Sequence, residues 1–456
     1  ENRDHVRSGR PDPPECKGSA TVSQPLTGTP VPAADDAAAR RGAIRAQIDL
    51  LVKEHFELLP PLPDDECPLS VPLYGAEEVG GAIDSLLTQY VTMGARVREF
   101  EAAFASYVGS KHAIMVNSGS SANLLGLAVM SSAAVPGALR PGDEVIVPAV
   151  TWATSLSPIL QYGCVPVLVD VDPKTLNLRP EDLRDALSAK TRAIMPVHLL
   201  GNPVDMEPLM QFAREHDLWV IEDTCESLGS SVGGRMVGTF GHFGTYSFYF
   251  SHHITTIEGG MVVTDDDHLA ELARSIRAHG WTRDMPSGKE IESANPWIDP
   301  RFLFVHIGYN LRPMELQAAF GLVQLRRLEE FNEQRRANAD YLLSALADLS
   351  DELEFVTEQA GARSTWFGFA VMAKDAVTRR ALCDHLEARK IATRPIVAGN
   401  LAVQPAFRDN PHRTVGSLAN ATQVGERGLF VGNHPNLTQG HLDHIAEGFR
   451  SFFGRA

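Results

Sequence analysis

Residues 144–169, EVIVPAVTWATSLSPILQYGCVPVLV, place two short apolar runs on either side of a helical segment. Similar apolar runs recur before and after this stretch, and helical segments separate most of them. Apolar strands joined by helical crossovers imply a largely parallel sheet that is buried on both faces. The predicted fold class is therefore α/β. We expect strands at His112–Val116, Glu144–Val147, Val165–Val169, Ala193–Val197, Leu218–Ile221, Thr245–Phe248 and Met261–Thr264.

The chain divides into four predicted regions. Residues 1–38 are rich in Pro, Ala, Asp and Ser without apolar periodicity, which predicts a flexible leader. Residues 39–75 are expected to hold a helix over 39–57 and then a linker. Residues 76–330 would form a large domain and residues 331–456 a smaller α/β domain. Further helices are expected over 76–90, 95–108, 315–327, 330–348, 377–389 and 439–453.

The composition is that of an ordinary globular protein. Of 456 residues, 44% are hydrophobic and 21% are charged, and the net charge is −16. That charge argues against binding to nucleic acid or to anionic membranes. No apolar run is long enough for a transmembrane helix, and the N-terminus lacks a signal-peptide pattern, so we expect a cytoplasmic protein. The cysteines are scattered, which favours reduced thiols and provides no clustered metal ligands.

Three strand ends carry residues that suit a cofactor site. Residues 116–123 form a Gly- and Ser-rich connection to an apolar helix, where backbone N–H groups bind phosphate well. Trp152 follows another strand and could stack on a flat ring. Asp223 ends a third strand and could hold a pyridinium nitrogen protonated. Each also has an ordinary structural interpretation, as a helix cap for the Ser and Asp residues and as core packing for Trp152.

A fourth strand end, residues 245–260, has the sequence TYSFYFSHHITTIEGG. It holds Ser247 and, five residues later, His252. An imidazole has an unperturbed pKa of about 6.5, so it can accept and donate a proton near neutral pH. The alternative is that His252 is a structural histidine and that Glu258 and the two glycines after it form a turn into the next strand.

The order of these elements resembles one protein family. Gly-Ser-Ser, then Trp, then Asp-x-x-Glu, and then Ser-x4-His-x5-Glu-Gly-Gly is similar to sugar aminotransferases and dehydratases of the DegT/DnrJ type. The likeness runs from about Val71 to the C-terminus and includes residues 308–319, GYNLRPMELQAA. Members are fold-type I enzymes that use pyridoxal 5′-phosphate (PLP). The resemblance implies a mostly parallel, seven-stranded sheet flanked by helices, with a smaller α/β C-terminal domain.

At the position of His252, members of that family usually carry the lysine that forms a Schiff base with PLP. The 3-dehydratases of nucleotide-linked 4-keto-6-deoxyhexoses instead share His-His-Ile-Thr, and this chain looks most like them. They also share a late segment like residues 393–401, TRPIVAGNL. Because histidine cannot form that Schiff base, the resemblance implies that PLP and pyridoxamine 5′-phosphate (PMP) are held noncovalently.

The resemblance also implies a role for each matching position. His252 would be the catalytic base. The homodimers of this family share their active sites between subunits, so one cofactor contact would come from the neighbouring subunit. The cofactor positions are Gly119, Ser120 and Ser247 at the phosphate, Trp152 on the ring, Asp223 at the ring nitrogen, Glu226 near the hydroxyl, and Asn310 at the neighbouring subunit's phosphate. The substrate positions are Met93 and Gly94 in one loop and Arg394 and Asn400 in another.

The implied activity is removal of the C3 hydroxyl from a nucleotide-linked 4-keto-6-deoxyhexose, with glutamate as the amino donor. One branch of these dehydratases carries a [2Fe-2S] cluster on cysteines. The matching stretch here, residues 277–289, has no cysteine, and the next one along the chain is Cys383. We therefore expect no iron–sulfur cluster and place the chain in the cluster-free branch, which includes GDP-4-keto-6-deoxy-D-mannose 3-dehydratase.

Two alternatives stay open. The chain could perform another PMP-dependent deoxygenation or a transamination on a similar nucleotide sugar. It could also be a non-catalytic, PLP-binding family member that lost its lysine, although loss of function should not spare Asp223, Ser247 and Glu226 while inserting a competent base. An ordinary aminotransferase is disfavoured because residues 241–260 contain no lysine.

Overall fold

Short apolar runs form the strands, and β-branched residues dominate several of them. The computed structural model describes residues 34–455. The strands are β1 (His112–Val116), β2 (Glu144–Pro148), β3 (Val165–Val169), β4 (Thr191–Ile194), β5 (Trp219–Asp223), β6 (Ser231–Val232), β7 (Arg235–Met236), β8 (Phe243–Ser247), β9 (Gly260–Thr264), β10 (Leu353–Phe355), β11 (Ala362–Arg363), β12 (Gly368–Ala373), β13 (Thr393–Arg394), β14 (Arg413–Thr414) and β15 (Gly428–Gly432).

Helices fill most of the connections between these strands. Several begin at a side-chain cap. Ser118 accepts a hydrogen bond from the backbone N–H of Ser121, and Asp266 accepts hydrogen bonds from two backbone N–H groups in the first turn of the helix that follows it. The helices are α1 (Ala34–Glu57), α2 (Ala76–Leu87), α3 (Ala95–Val108), α4 (Gly119–Met130), α5 (Ala153–Gln161), α6 (Leu183–Ala186), α7 (Met206–Glu215), α8 (Asp267–Arg277), α9 (Gly288–Ala294), α10 (Glu315–Ala345), α11 (Ala376–Ala388), α12 (Pro405–Arg408), α13 (Ala419–Arg427) and α14 (Gln439–Phe452).

The large sheet has the strand order β1-β9-β8-β5-β4-β2-β3-β14. Of its eight strands, β9 runs antiparallel to both of its neighbours, and the other pairs are parallel. Its core strands are buried on both faces, as the apolar runs predicted. The predicted α/β class and the mostly parallel sheet of seven main strands are confirmed, and the two-residue β14 adds an eighth strand at one edge.

Two smaller sheets complete the topology. The sheet β10-β12-β15-β13 lies in the C-terminal part of the chain, and β11-β6-β7 forms a short three-stranded sheet. The carboxyl ends of the parallel strands β1, β2, β5 and β8 lie at one edge of the large sheet, which is where open α/β sheets bind their ligands.

The structure differs from the sequence-based expectations in two helices. The two helices expected over 315–327 and 330–348 form the single helix α10, because residues 327–330 contain no Gly or Pro and Leu328 is fully buried in the core. Helix α1 begins at Ala34, before the expected start at residue 39.

Most of the predicted leader, residues 1–33, lies outside the described residues. The domain boundary near residue 330 stays a prediction. Within residues 34–455, the structure has no helix that is long and apolar enough to cross a membrane.

Candidate active site

A cavity of about 510 Å³ opens at the carboxyl ends of the strands in the large sheet. It adjoins the end of β5, the end of β8, the start of α4 and the loop after β2. The structure brings together eight of the predicted site residues in its lining, namely Gly119, Ser120, Trp152, Asp223, Glu226, Ser247, His252 and Arg394.

The first turn of α4 faces Ser247 across a space that admits no side chain on Gly119. A Cβ there would lie 2.8 Å from Oγ of Ser247 and 3.1 Å from Sγ of Cys225. Ser120 lines the same space, and its hydroxyl is 2.9 Å from Oγ1 of Thr154. N–H groups at a helix start and nearby hydroxyls are the donors that a phosphate group needs. This part of the cavity therefore fits the PLP phosphate.

Asp223 ends β5 as a buried carboxylate at the cavity wall. Its Oδ2 accepts hydrogen bonds from Nδ2 of Asn123 at 2.9 Å and from Oγ of Ser155 at 2.7 Å. Its Oδ1 accepts a longer bond of 3.2 Å from the backbone N–H of Cys225. A carboxylate fixed in this way is the partner that a protonated ring nitrogen requires.

His252 is half-buried and presents one nitrogen for proton transfer. Its Nδ1 lies 2.6 Å from the carbonyl oxygen of Cys225. Because a carbonyl can only accept, Nδ1 carries the proton and the lone pair of the neutral ring lies on Nε2. Burial lowers the pKa of His252 to about 4, against the opposing effect of the Cys225 hydrogen bond, so the ring is neutral at pH 7. The ring packs against Phe367, with centroids 5.2 Å apart.

Glu226 and Trp152 complete the cavity wall. Oε2 of Glu226 accepts a hydrogen bond of 2.9 Å from the backbone N–H of Leu200. Burial raises the pKa of the Glu226 carboxyl to about 7, more than that hydrogen bond lowers it, so this group can hold a proton near neutral pH. Trp152 precedes α5 and is 61% exposed, which leaves its indole face open to a ring in the cavity.

Four predicted site residues do not line this cavity. The N–H of Gly94 donates to Glu315 at 2.7 Å, and Met93 lies beside it in the same loop. Asn310 is exposed, and its Oδ1 accepts from Nε of Arg312. Asn400 is buried, where its Oδ1 accepts from the N–H of Ala402 and its Nδ2 donates to Thr422. Their proposed substrate and cofactor contacts stay predictions.

Several residues of the site were not predicted from the sequence. Asn123 and Ser155 bind Asp223, and Phe367 packs on His252. One feature of the sequence could have indicated Asn123, since it is a polar residue within an apolar helical stretch. Nothing in the sequence indicates the contact of Phe367 with His252, because Phe367 lies more than a hundred residues further along the chain.

Family comparisons agree with this geometry. The model of the DegT/DnrJ/EryC1/StrS aminotransferase family matches residues 73–450. The chain belongs to this family. A GDP-4-keto-6-deoxy-D-mannose 3-dehydratase from Yersinia pseudotuberculosis is 41% identical over 374 residues, which are 80% of this chain and 94% of that protein. A dTDP-4-dehydro-2,6-dideoxy-D-glucose 3-dehydratase from Saccharopolyspora spinosa is 39% identical over 82% of this chain and 84% of that protein.

A solved structure is also similar to this chain. The crystal structure of GDP-4-keto-6-deoxymannose-3-dehydratase with a trapped PLP-glutamate geminal diamine has a TM-score of 0.79 and 36% identity. The match covers 84% of this chain and all of that one (100%). The predicted family and the fold-type I architecture are therefore confirmed for this family member.

Proposed function

We propose that this chain is a PLP- and PMP-dependent 3-dehydratase of a nucleotide-linked 4-keto-6-deoxyhexose, with His252 as its base. The observation that carries the proposal is the imidazole of His252 in the same cavity as Asp223 and Ser247, in the place where the family pattern puts the Schiff-base lysine. Relatives that are 41% and 39% identical and are named 3-dehydratases support the reaction. The PLP in a structure with 36% identity supports the cofactor.

The side chains of this cavity suit the two halves of a dehydration. When bound, PMP supplies an amine for the 4-keto carbon and a ring that accepts electrons. Asp223 would keep the ring nitrogen protonated from one side of the cavity. Nε2 of His252 would take a proton from the carbon next to the ring and pass it to the departing C3 hydroxyl, which leaves as water. The low pKa of His252 means that the ring is unprotonated at neutral pH and can accept this proton, and that its protonated form gives the proton up readily.

The substrate and the amino donor follow from the cavity and the relatives. Arg394 lines the cavity, and a guanidinium suits the phosphate oxygens of a nucleotide sugar. The relatives include a GDP-sugar and a dTDP-sugar 3-dehydratase, so the test compares several nucleotides. The PLP-glutamate adduct in the similar structure supports glutamate as the donor that restores PMP.

Incubation of the protein with PMP, glutamate and a panel of GDP-, dTDP- and CDP-linked 4-keto-6-deoxyhexoses should give a 3-deoxy product. Mass spectrometry should find that product lighter than the substrate by one oxygen atom, with release of ammonia and one 2-oxoglutarate formed for each turnover. An amino sugar would instead indicate transamination. A protein that binds PLP but shows no change of cofactor absorbance with glutamate would be a non-catalytic family member. Either result would refute the proposal.

We also propose that the active form is a homodimer with shared active sites. The segment before Asn310 exposes large apolar side chains: Trp297 is 75% exposed, Phe302 64% and Ile307 98%. Large exposed apolar side chains are of the kind that an interface covers. A second copy would cover this segment and would bring the exposed Asn310 to its neighbour's cofactor phosphate.

Shared sites predict rescue between two inactive variants. His252→Asn and Asn310→Ala should each lose activity as homodimers. In a heterodimer purified through two different tags, one site carries both changes and the other carries neither, so about half of the wild-type activity should return. A tagged His252→Asn pair serves as the control. If Asn310 acted within its own subunit, both sites of the heterodimer would be damaged and no activity would return.

A further inference from the structure

Asp223 is held by two neutral side chains that both approach the same oxygen. Nδ2 of Asn123 and Oγ of Ser155 donate to Oδ2 at 2.9 and 2.7 Å. All three residues are buried, and they come from α4, α5 and β5. The arrangement leaves Oδ1 with the longer bond from Cys225 on the remaining side. The two oxygens of the carboxylate therefore differ in the number and length of their hydrogen bonds.

Each of the two donors is itself held in one orientation. Oγ1 of Thr245 donates to Oδ1 of Asn123 at 2.6 Å, which fixes the amide so that its Nδ2 faces Asp223. Oγ of Ser155 lies 2.8 Å from Oγ1 of Thr151. Because the single proton of Ser155 goes to the carboxylate, Thr151 must donate to Ser155. The network is satisfied at every member, and a satisfied buried network is rigid.

We infer that Asn123 and Ser155 are positioning residues that hold the carboxylate of Asp223 in the orientation in which it faces the ring nitrogen of the cofactor. The inference rests on the proposed function, because it requires Asp223 to face that nitrogen. A carboxylate that is fixed beside the ring nitrogen favours the protonated nitrogen through the contact of opposite charges, and a carboxylate that is free to rotate does so less. The ring then remains the stronger electron acceptor that proton removal by His252 requires.

The test measures the protonation of the cofactor and not its turnover. Wild type, Asn123→Ala and Ser155→Ala are loaded with PLP that carries ¹⁵N in the ring, and the ¹⁵N chemical shift is followed from neutral to alkaline pH. Ser155→Ala removes a single oxygen, so it keeps the test valid if Asn123→Ala fails to fold. The matched control is Ser157→Ala on the same helix, because Oγ of Ser157 donates to the carbonyl of Ala153 and the residue does not line the cavity.

Wild type and Ser157→Ala should keep the ring nitrogen protonated across the range. Ser155→Ala and Asn123→Ala should lose that proton at a pH lower by about one unit or more, with a roughly ten- to hundredfold slower reaction with glutamate. Identical ¹⁵N titrations in wild type and both variants, with only a lower melting temperature, would overturn the inference and leave a structural role. Failure of wild type to bind PLP would refute the proposed function itself, and the inference with it.

Discussion

His252→Asn should lower the rate of C3 dehydration by about 10²–10⁴-fold and leave PLP and PMP affinity within a few-fold of wild type. The asparagine amide can still donate to the carbonyl of Cys225, as Nδ1 of His252 does. It offers no nitrogen that accepts a proton, so the variant loses the base but keeps the local structure. Single-turnover product formation by mass spectrometry and cofactor absorbance titrations measure the two quantities separately.

The neighbouring residue supplies the control for this experiment. His253 is fully buried and does not line the cavity, so His253→Asn tests whether any change of histidine in this segment has the same effect. Dehydration by His253→Asn should stay near the wild-type rate if the protein folds, as judged by its melting temperature. Undiminished turnover by His252→Asn would show that the base lies elsewhere in the cavity.

The central sheet could be predicted because burial leaves a clear local pattern. Strands β2 and β3 are short apolar runs of the kind that a sheet covered on both faces produces. The expected ends differ from the observed ones by a few residues at most, as with β5, which continues past Ile221 to Asp223. Helix α10 was wrongly divided into two because charged residues around position 329 interrupt the apolar pattern without breaking the helix.

The site was predictable for residues that end parallel strands. Asp223 and Ser247 end neighbouring strands, so their meeting follows from the topology. The hydrogen bonds from Asn123 and Ser155 depend on side-chain orientations across three elements, and residue spacing in the sequence does not predict them. Asn310 is exposed, and its predicted contact needs a second copy of the chain.

A lysine at position 252 should attach the cofactor covalently to the chain. Wild type holds PLP without a Schiff base in the proposed function, so borohydride reduction followed by denaturation should leave no cofactor on the chain. The same treatment of His252→Lys should leave about one PLP per chain, because a lysine amine in this cavity can condense with the PLP aldehyde. Intact-mass measurement gives the stoichiometry, and peptide mapping should place the label at position 252.

The product should change together with the attachment. A lysine at position 252 favours return of the proton to sugar C4, so the variant should form an amino sugar and little or no 3-deoxy product. His252→Arg separates the loss of the histidine base from the gain of a Schiff base. A guanidinium matches the length and charge of lysine, but it forms no Schiff base and stays protonated. It should lose dehydration without gaining covalent PLP. Covalent PLP on the wild-type chain would contradict the noncovalent site, and retained dehydration by His252→Lys would show that the histidine does not direct the reaction.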